Sequence, residues 1–164
     1  MQPSDPLRHP HWRSWQMFFE AHAAVCADVE TELVRAHGLT LRWYDVLLHL
    51  HAVPGRRLSM RELGDAVVIS KSGLTGVVDR MARAGLVERT ADPDDRRVTL
   101  VTLTPVGAER YAHARVDHRA AVAERFLDRL DPADLDVIER AMASVLGEPY
   151  GARPRPGPGP GGRA

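Results

Sequence analysis

Apolar side chains recur at three- and four-residue intervals through most of residues 12–147, the period of helices that bury one face. In the first stretch, Trp12 to Ala36, the positions Trp15, Phe18 or Phe19, His22, Val25 or Cys26, Val29 and Leu33 keep that spacing, and Gly38 predicts its end. A second helix is expected from a Thr40 cap through Ala52, with Leu41, Tyr44, Leu47, Leu48 and Leu50 as apolar surface, before Pro54-Gly55 breaks the chain. Ser59 and Glu62 have the S-x-x-E spacing of a capping box, so a short third helix runs to about Val67. In the fourth, Leu74, Val77, Val78 and Met81 fall at i, i+3, i+4 and i+7. Ser70 can cap its start, and Gly85 followed by Leu86 reads as a left-handed stop with an apolar residue packing back.

The period then changes. Leu86–Thr90 and Val98–Leu103 are β-rich runs on either side of Ala91-Asp92-Pro93-Asp94-Asp95-Arg96-Arg97, a tip of turn formers and charges, and together they predict a hairpin. Helical spacing resumes after Thr104-Pro105, a cap followed by proline at the first helical position, and reaches about Arg129 with Val122, Phe126 and Leu130 as its clearest apolar row. Asp131-Pro132 repeats the device for a last helix, in which Leu135, Ile138, Met142 and Val145 are expected to face inward. The predicted fold is mainly α with a small β-wing: a winged helix-turn-helix plus a dimerisation platform built from the terminal helices.

The divisions follow. Residues 1–11, with three prolines and no periodicity, form a loose arm; 12–54 form the helical dimerisation region and scaffold; 55–103 form the winged head. Residues 104–147 complete the platform, and the Pro/Gly-rich tail at 148–164 cannot bury enough apolar surface to order itself. The terminal helices carry more apolar surface than a compact head can cover, so a second copy is the expected cover.

Composition narrows the setting. At 164 residues the chain suits one domain or one domain with an appendage. Its apolar runs are short and interrupted by charge, which predicts neither a membrane span nor a secretory signal. One cysteine excludes an internal disulfide and fits a reducing cytoplasm, the expected location. The formal net charge is zero, but residues 55–97 hold nine Arg/Lys against seven Asp/Glu, whereas 131–148 hold one against five. The head is thus the mildly basic part. Lys71, the single lysine of the chain, stands at the start of the fourth helix.

Opposite the apolar stripe of that helix lie Lys71, Ser72, Thr75, Gly76, Asp79, Arg80 and Arg83. Most are small, hydrogen-bonding or cationic, and none is a large apolar group that would hold the backbone off a groove wall. A major groove admits one α-helix and is read by such donors near the helix N-terminus. An arginine on a protruding ribbon beside it can reach the adjacent minor groove. The bland alternatives are a solvated helix face and a solvated charge cluster at the hairpin tip.

These residues resemble the MarR family of bacterial winged-helix transcription regulators. The resemblance covers nearly all of residues 12–147, and its most specific pieces stand in order. They are the S-x-S-G-L-T-x-x-V-D-R-M-x-x-A-G-L-V-E-R run at 70–89, the D-x-R of Asp95 and Arg97, and the L-T-x-x-G run from Leu103 to Gly107. What the resemblance implies is a homodimer that occupies a pseudo-palindromic operator on double-stranded DNA as a repressor, and that lets go when a small molecule or oxidant acts on it. Ser70, Lys71, Ser72, Thr75, Gly76 and Arg80 would then lie in the major groove and Arg97 in the minor groove, with Asp95 orienting its guanidinium and Arg96 on phosphate.

The resemblance also points to an aromatic or phenolic effector in the crevice between platform and head, with Trp12, Trp15, Phe19, Tyr44, Asp45 and His51 as walls; core packing is an equal explanation for each. A urate-responsive branch would be matched by Trp12 or Trp15, Asp45 and Arg89, but Val77 stands where its second arginine would be. Cys26 invites a one-cysteine redox reading, yet Asp28 and Glu30 beside it disfavour a thiolate, and a structural cysteine is the plainer expectation. Eight histidines show no H-x3-H spacing, so no metal is expected. No nucleophile elbow, Walker loop or dinucleotide fingerprint is present, so neither an enzyme nor a cofactor is expected. The remaining competitor is a winged-helix module used for protein contacts.

Overall fold

The boundaries of the elements have local chemical causes, and the computed structural model, which describes residues 9–68 and 71–147 but not the side chains of 71 and 72, shows most of them directly. In order the elements are α1 (Trp12–His37), α2 (Leu41–Ala52), β1 (Arg57–Ser59), α3 (Met60–Ala66), α4 (Lys71–Arg83), β2 (Val87–Ala91), β3 (Thr99–Leu103), α5 (Pro105–Arg125) and α6 (Pro132–Leu146), with 3-10 turns at Pro54–Arg56 and Leu127–Arg129. The Thr40 hydroxyl accepts the Trp43 N–H at the start of α2. Ser59 Oγ accepts the Glu62 N–H while Glu62 Oε2 accepts the Ser59 N–H at 2.8 Å, closing the capping box of α3. Those bonds from Ser59 hold the Glu62 carboxyl below the usual carboxylate range. Thr104 Oγ1 accepts the Gly107 N–H at 3.0 Å and caps α5. Asp131 departs from expectation, since its side chain makes no capping bond and its backbone carbonyl accepts the Asp134 N–H instead. The Ser70 cap lies outside the described residues.

The sheet has three antiparallel strands in the order β1-β3-β2, so the expected hairpin carries an extra edge strand. Register pairs Val87 with Leu103 on one side of β3 and Arg57 with Thr102 on the other. A three-residue strand is too short to show a period of two, and its partner lies more than forty positions away, beyond the reach of local patterning. Around this sheet the head core is dry: Leu39, Val46, Leu47, Leu50, Leu63, Val78, Met81, Leu86 and Val101 are all 0% exposed.

Two expectations about the long helices need correction. α5 ends at Arg125 rather than Arg129, where Phe126 leaves helical geometry (φ −134°, ψ −61°). Its buried face is not the row of Val122, Phe126 and Leu130, which are only half-buried, but Gly107, Tyr111, Ala114 and Ala121. Small residues seven apart let α5 approach its neighbours closely, and tight contact excludes water where bulk does not. In α6 no residue is buried: Leu135, Ile138 and Met142 are half-buried, Val145 is 77% exposed, and the helix makes only marginal contact with the rest of the chain. The first half of α1 is similarly bare, with Trp12, Trp15, Met17, Phe18 and Phe19 all exposed. Within the chain these helices leave much of their apolar surface uncovered. No described helix is long and apolar enough to cross a membrane.

The tightest backbone approach in the fold is at Gly107. A Cβ there would stand 2.1 Å from the Leu86 carbonyl oxygen and 2.9 Å from Leu103 Cδ1. Thr104 donates its hydroxyl to Gly85 and Leu86 carbonyls at the same junction, so α5 cannot back away without breaking these bonds. Gly107→Ala should therefore lower stability by about 3 kcal/mol, as overpacking of a rigid site does. Urea unfolding checks this, and an unchanged midpoint would show that the junction relaxes.

Candidate nucleic-acid interface

The orientation of α4 is set by what it buries. Leu74 is 2% exposed, Val77 1%, and Val78 and Met81 0%, all within the core of the head. On a helix the residues half a turn away must then face out, and Thr75, Arg80 and Arg83 are exposed with Gly76 and Asp79 half-exposed. Gly85 adopts φ +71°, and its N–H bonds the Ala82 carbonyl while the Leu86 N–H bonds the Met81 carbonyl, both at 3.0 Å. This paired closure ends the helix and drives Leu86 into the core at 0% exposure. At Gly76 a Cβ would meet Arg80 Nη1 at 3.5 Å, ordinary contact, so the position is small-sided rather than sterically forced. Ser70 lies outside the described residues, as do the side chains of Lys71 and Ser72.

Two carboxylates brace this helix. Asp79 pairs with Arg89 of β2, and its backbone carbonyl accepts Arg83 Nε at 3.4 Å. The Arg89 guanidinium offsets the Asp79 charge while tying helix to wing. Asp45 of α2, expected as a pocket wall, directs one oxygen to the Val68 N–H at 2.9 Å and the other to His49 Nε2 at 3.3 Å. It thus holds the turn between α3 and α4. No local spacing signals either role, because the partners are ten and twenty-three positions away.

At the wing tip, the Asp92 N–H bonds the Val98 carbonyl and the Val98 N–H bonds the Asp95 carbonyl, both at 2.9 Å. Asp95 Oδ1 accepts the backbone N–H of Arg97 at 3.0 Å, and Asp92 Oδ1 does the same for Asp94 at 2.9 Å. Here the expectation is corrected: Asp95 shapes the turn through the Arg97 backbone and forms no ion pair with its guanidinium. A carboxylate two positions before an N–H in a tight turn meets that N–H first. Arg96 and Arg97 are exposed.

The candidate effector walls do not come together within one copy. Trp15 stacks near Phe18 and Phe19 (centroids 6.1 and 6.2 Å) on the bare first half of α1. Tyr44 is 5% exposed and His51 packs on Tyr111, both in the joint between α2 and α5. A cleft of about 240 Å³ does open between α1, the start of α2 and α4, lined by Glu30, Gly38, Thr40, Arg42, Trp43, Val77 and Arg80. None of the six candidate walls is among those residues. Cys26 is half-buried with Sγ 3.4 Å from His22 Nε2, and burial together with Glu30 pushes its thiol pKa up. Those surroundings oppose the thiolate that a redox sensor needs. Among the described residues no group of three His, Cys, Asp or Glu side chains comes together to hold a metal ion.

A capped support helix, a reading helix set by its buried stripe, and an antiparallel wing with exposed arginines at its tip define a winged helix-turn-helix protein. Residues 37–98 match the sequence profile of the MarR family. The crystal structure of AbsC, a MarR family transcriptional regulator from Streptomyces coelicolor, is 32% identical with a TM-score of 0.76, over 81% of this chain and 89% of that one. Sco3205, a MarR family regulator of the same organism solved in complex with DNA, is 28% identical with a TM-score of 0.79, over 90% of this chain and 98% of that one. The HTH-type transcriptional regulator MhqR of Bacillus subtilis is 31% identical over 91 residues, 56% of this chain and 61% of MhqR. The chain thus spans about three fifths of that curated relative's length. The protein belongs to the MarR family, a family of transcriptional regulators and not of enzymes.

The Asp79–Arg89 brace is testable apart from any DNA. The two side chains are 43% and 34% exposed, so solvent screens the pair. A double-mutant cycle with Asp79→Asn and Arg89→Gln should give a coupling of about 0.5–1 kcal/mol that shrinks in roughly 1 M salt. Zero coupling at low salt would remove the brace from the account.

Proposed function

We propose that this protein is a homodimeric repressor that occupies a pseudo-palindromic operator in duplex DNA. The observation that carries the reading is the outward face of α4, with Thr75, Arg80 and Arg83 exposed beside the exposed wing arginines Arg96 and Arg97. In this reading Ser70, Lys71, Ser72, Thr75, Gly76 and Arg80 contact the major groove, Arg97 enters the minor groove, and Arg96 meets phosphate. Asp95 contributes by fixing the turn that presents Arg97.

The dimer is supported by surface that one copy leaves bare. Five large apolar residues at the start of α1 are 46–60% exposed, and α6 buries nothing. A patch of that kind marks an association surface. Pairing through a two-fold axis sets two reading helices about one turn of B-form DNA apart, which is the spacing an inverted repeat presents. Release by a small aromatic or phenolic effector belongs to the same reading.

The deciding experiment is recovery of genomic fragments bound by the purified full chain across a range of ionic strengths. The expected product is an inverted-repeat motif whose affinity falls steeply with salt as counterions are released; binding without sequence preference, or a salt-insensitive partner, would favour a protein-contact role. On that motif Arg97→Ala should cost about 1–3 kcal/mol of binding with the fold intact by circular dichroism. For the dimer, sedimentation should show two copies in the wild type and one in Trp15→Glu/Phe19→Glu. A wild-type monomer at micromolar concentration would overturn the paired arrangement.

A further inference from the structure

Four aromatic rings in a row join α2 to α5. Tyr44 of α2 stacks on His118 of α5 at 4.2 Å between centroids and 16° between planes, and packs on Tyr111 of α5 at 5.5 Å. His51 of α2 closes the row against the other ring of α5, 4.8 Å from Tyr111. Its two tyrosines are deep, Tyr44 5% and Tyr111 1% exposed, and its two histidines are half-buried. Arg56, in the turn after α2, and Arg115 of α5 act on His51, and Arg119 of α5 acts on His118.

The carboxylates nearby are committed elsewhere. On α5, Asp117 precedes His118 but bonds His37 of α1 at 2.7 Å. On α2, Asp45 is bound to Val68 and His49 on the side of the head. No described carboxylate forms an ion pair with Arg56, Arg115 or Arg119.

His51 Nδ1 is buried and has no hydrogen-bond partner. A neutral ring with its proton on Nε2 leaves a lone pair without a donor there. A protonated ring places an N–H at the same buried atom with nothing to receive it, and adds a charge that Arg56 and Arg115 repel. His118 faces the same repulsion from Arg119. We propose that the α2–α5 ring row is an acid-sensitive joint: protonation of His51 and His118 loosens it and, through α2, slackens the seat of the reading helix. The route through α2 is physical. The same helix supplies Val46, Leu47 and Leu50 to the core beneath α4, and its Asp45 holds the turn just before it. The last step, weaker DNA binding in acid, rests on the function proposed above.

The sign follows from linkage. Burial first and the arginines second lower the pKa of both histidines below their ordinary value of 6.5. The open joint therefore binds protons more readily than the closed one, and its stability is lost as pH falls below 6.5 toward the lowered values.

Hydrogen exchange of the full chain at about pH 7.5 and 5.5, corrected for intrinsic rates, reads the joint directly over residues 41–52 and 105–125. The wild type should lose roughly tenfold protection in both segments on acidification, and His51→Phe/His118→Phe, which keeps the rings but takes no proton, should not. Equal acid losses in the two proteins would overturn the proposal. Should the double variant fail to fold, nuclear magnetic resonance titration of the wild-type histidine ring protons decides, since midpoints at or above the ordinary value for both would overturn it equally. In a parallel arm, fluorescence anisotropy on a recovered promoter fragment should show wild-type binding weakening severalfold over the same interval and the variant unchanged. Absence of DNA binding at either pH would sink the proposed function while the exchange arm still judges the joint. Acid-insensitive DNA binding by a protein whose joint has loosened would sink the coupling between them.

Discussion

The burial of Leu74, Val77, Val78 and Met81 in the core of the head is the interaction on which the rest of the structure depends. Fully burying a large apolar side chain is worth about 1.5–3 kcal/mol, so the four together contribute roughly 6–12 kcal/mol before entropy is counted. That is the size of a whole domain's net stability, about 5–15 kcal/mol. A roll of α4 about its axis would expose part of this stripe, so the helix has one rotational setting. The polar face is presented as a consequence.

α2 extends that constraint to the rest of the head. It supplies Val46, Leu47 and Leu50 to the same core, Asp45 to the turn before α4, and Tyr44 and His51 to the ring row against α5. One helix therefore touches both α5 and the core that seats α4. The wing is tied in separately, through the pairing of β2 with β3 and the bridge from Arg89 to Asp79. The exposed arginines at the tip sit on backbone braced by Asp92 and Asp95, which limits how far the turn can wander.

The terminal helices follow a different logic. Only Val29 and Leu33 of α1 are buried, and no residue of α6 is. Their apolar periodicity is real, but in a single copy it has little to pack against. α5 shows the reverse case: Val122 and Phe126 of its expected apolar row are only half-buried, and Gly107, Ala114 and Ala121 make the close contact around the one large buried ring, Tyr111.

What the sequence by itself determined has causes that lie within about one helical turn. The stripe of α4, the Thr40 and Thr104 caps, the Ser59–Glu62 box, the Gly85 stop and the polar tip of the wing all follow from spacing and side-chain reach, and with them came the winged head and its candidate reading face. The tertiary structure alone decided the rest. The β1 edge strand, the Asp79–Arg89 bridge, the Asp45 hold on Val68, the turning of Asp95 toward backbone, and the row from His51 to His118 each depend on groups brought together by chain folding or by the exact path of a turn. A one-dimensional pattern records which face of an element is apolar, because that face repeats with the backbone. It does not record what that face will meet, because the meeting is chosen by the packing of every other element at once.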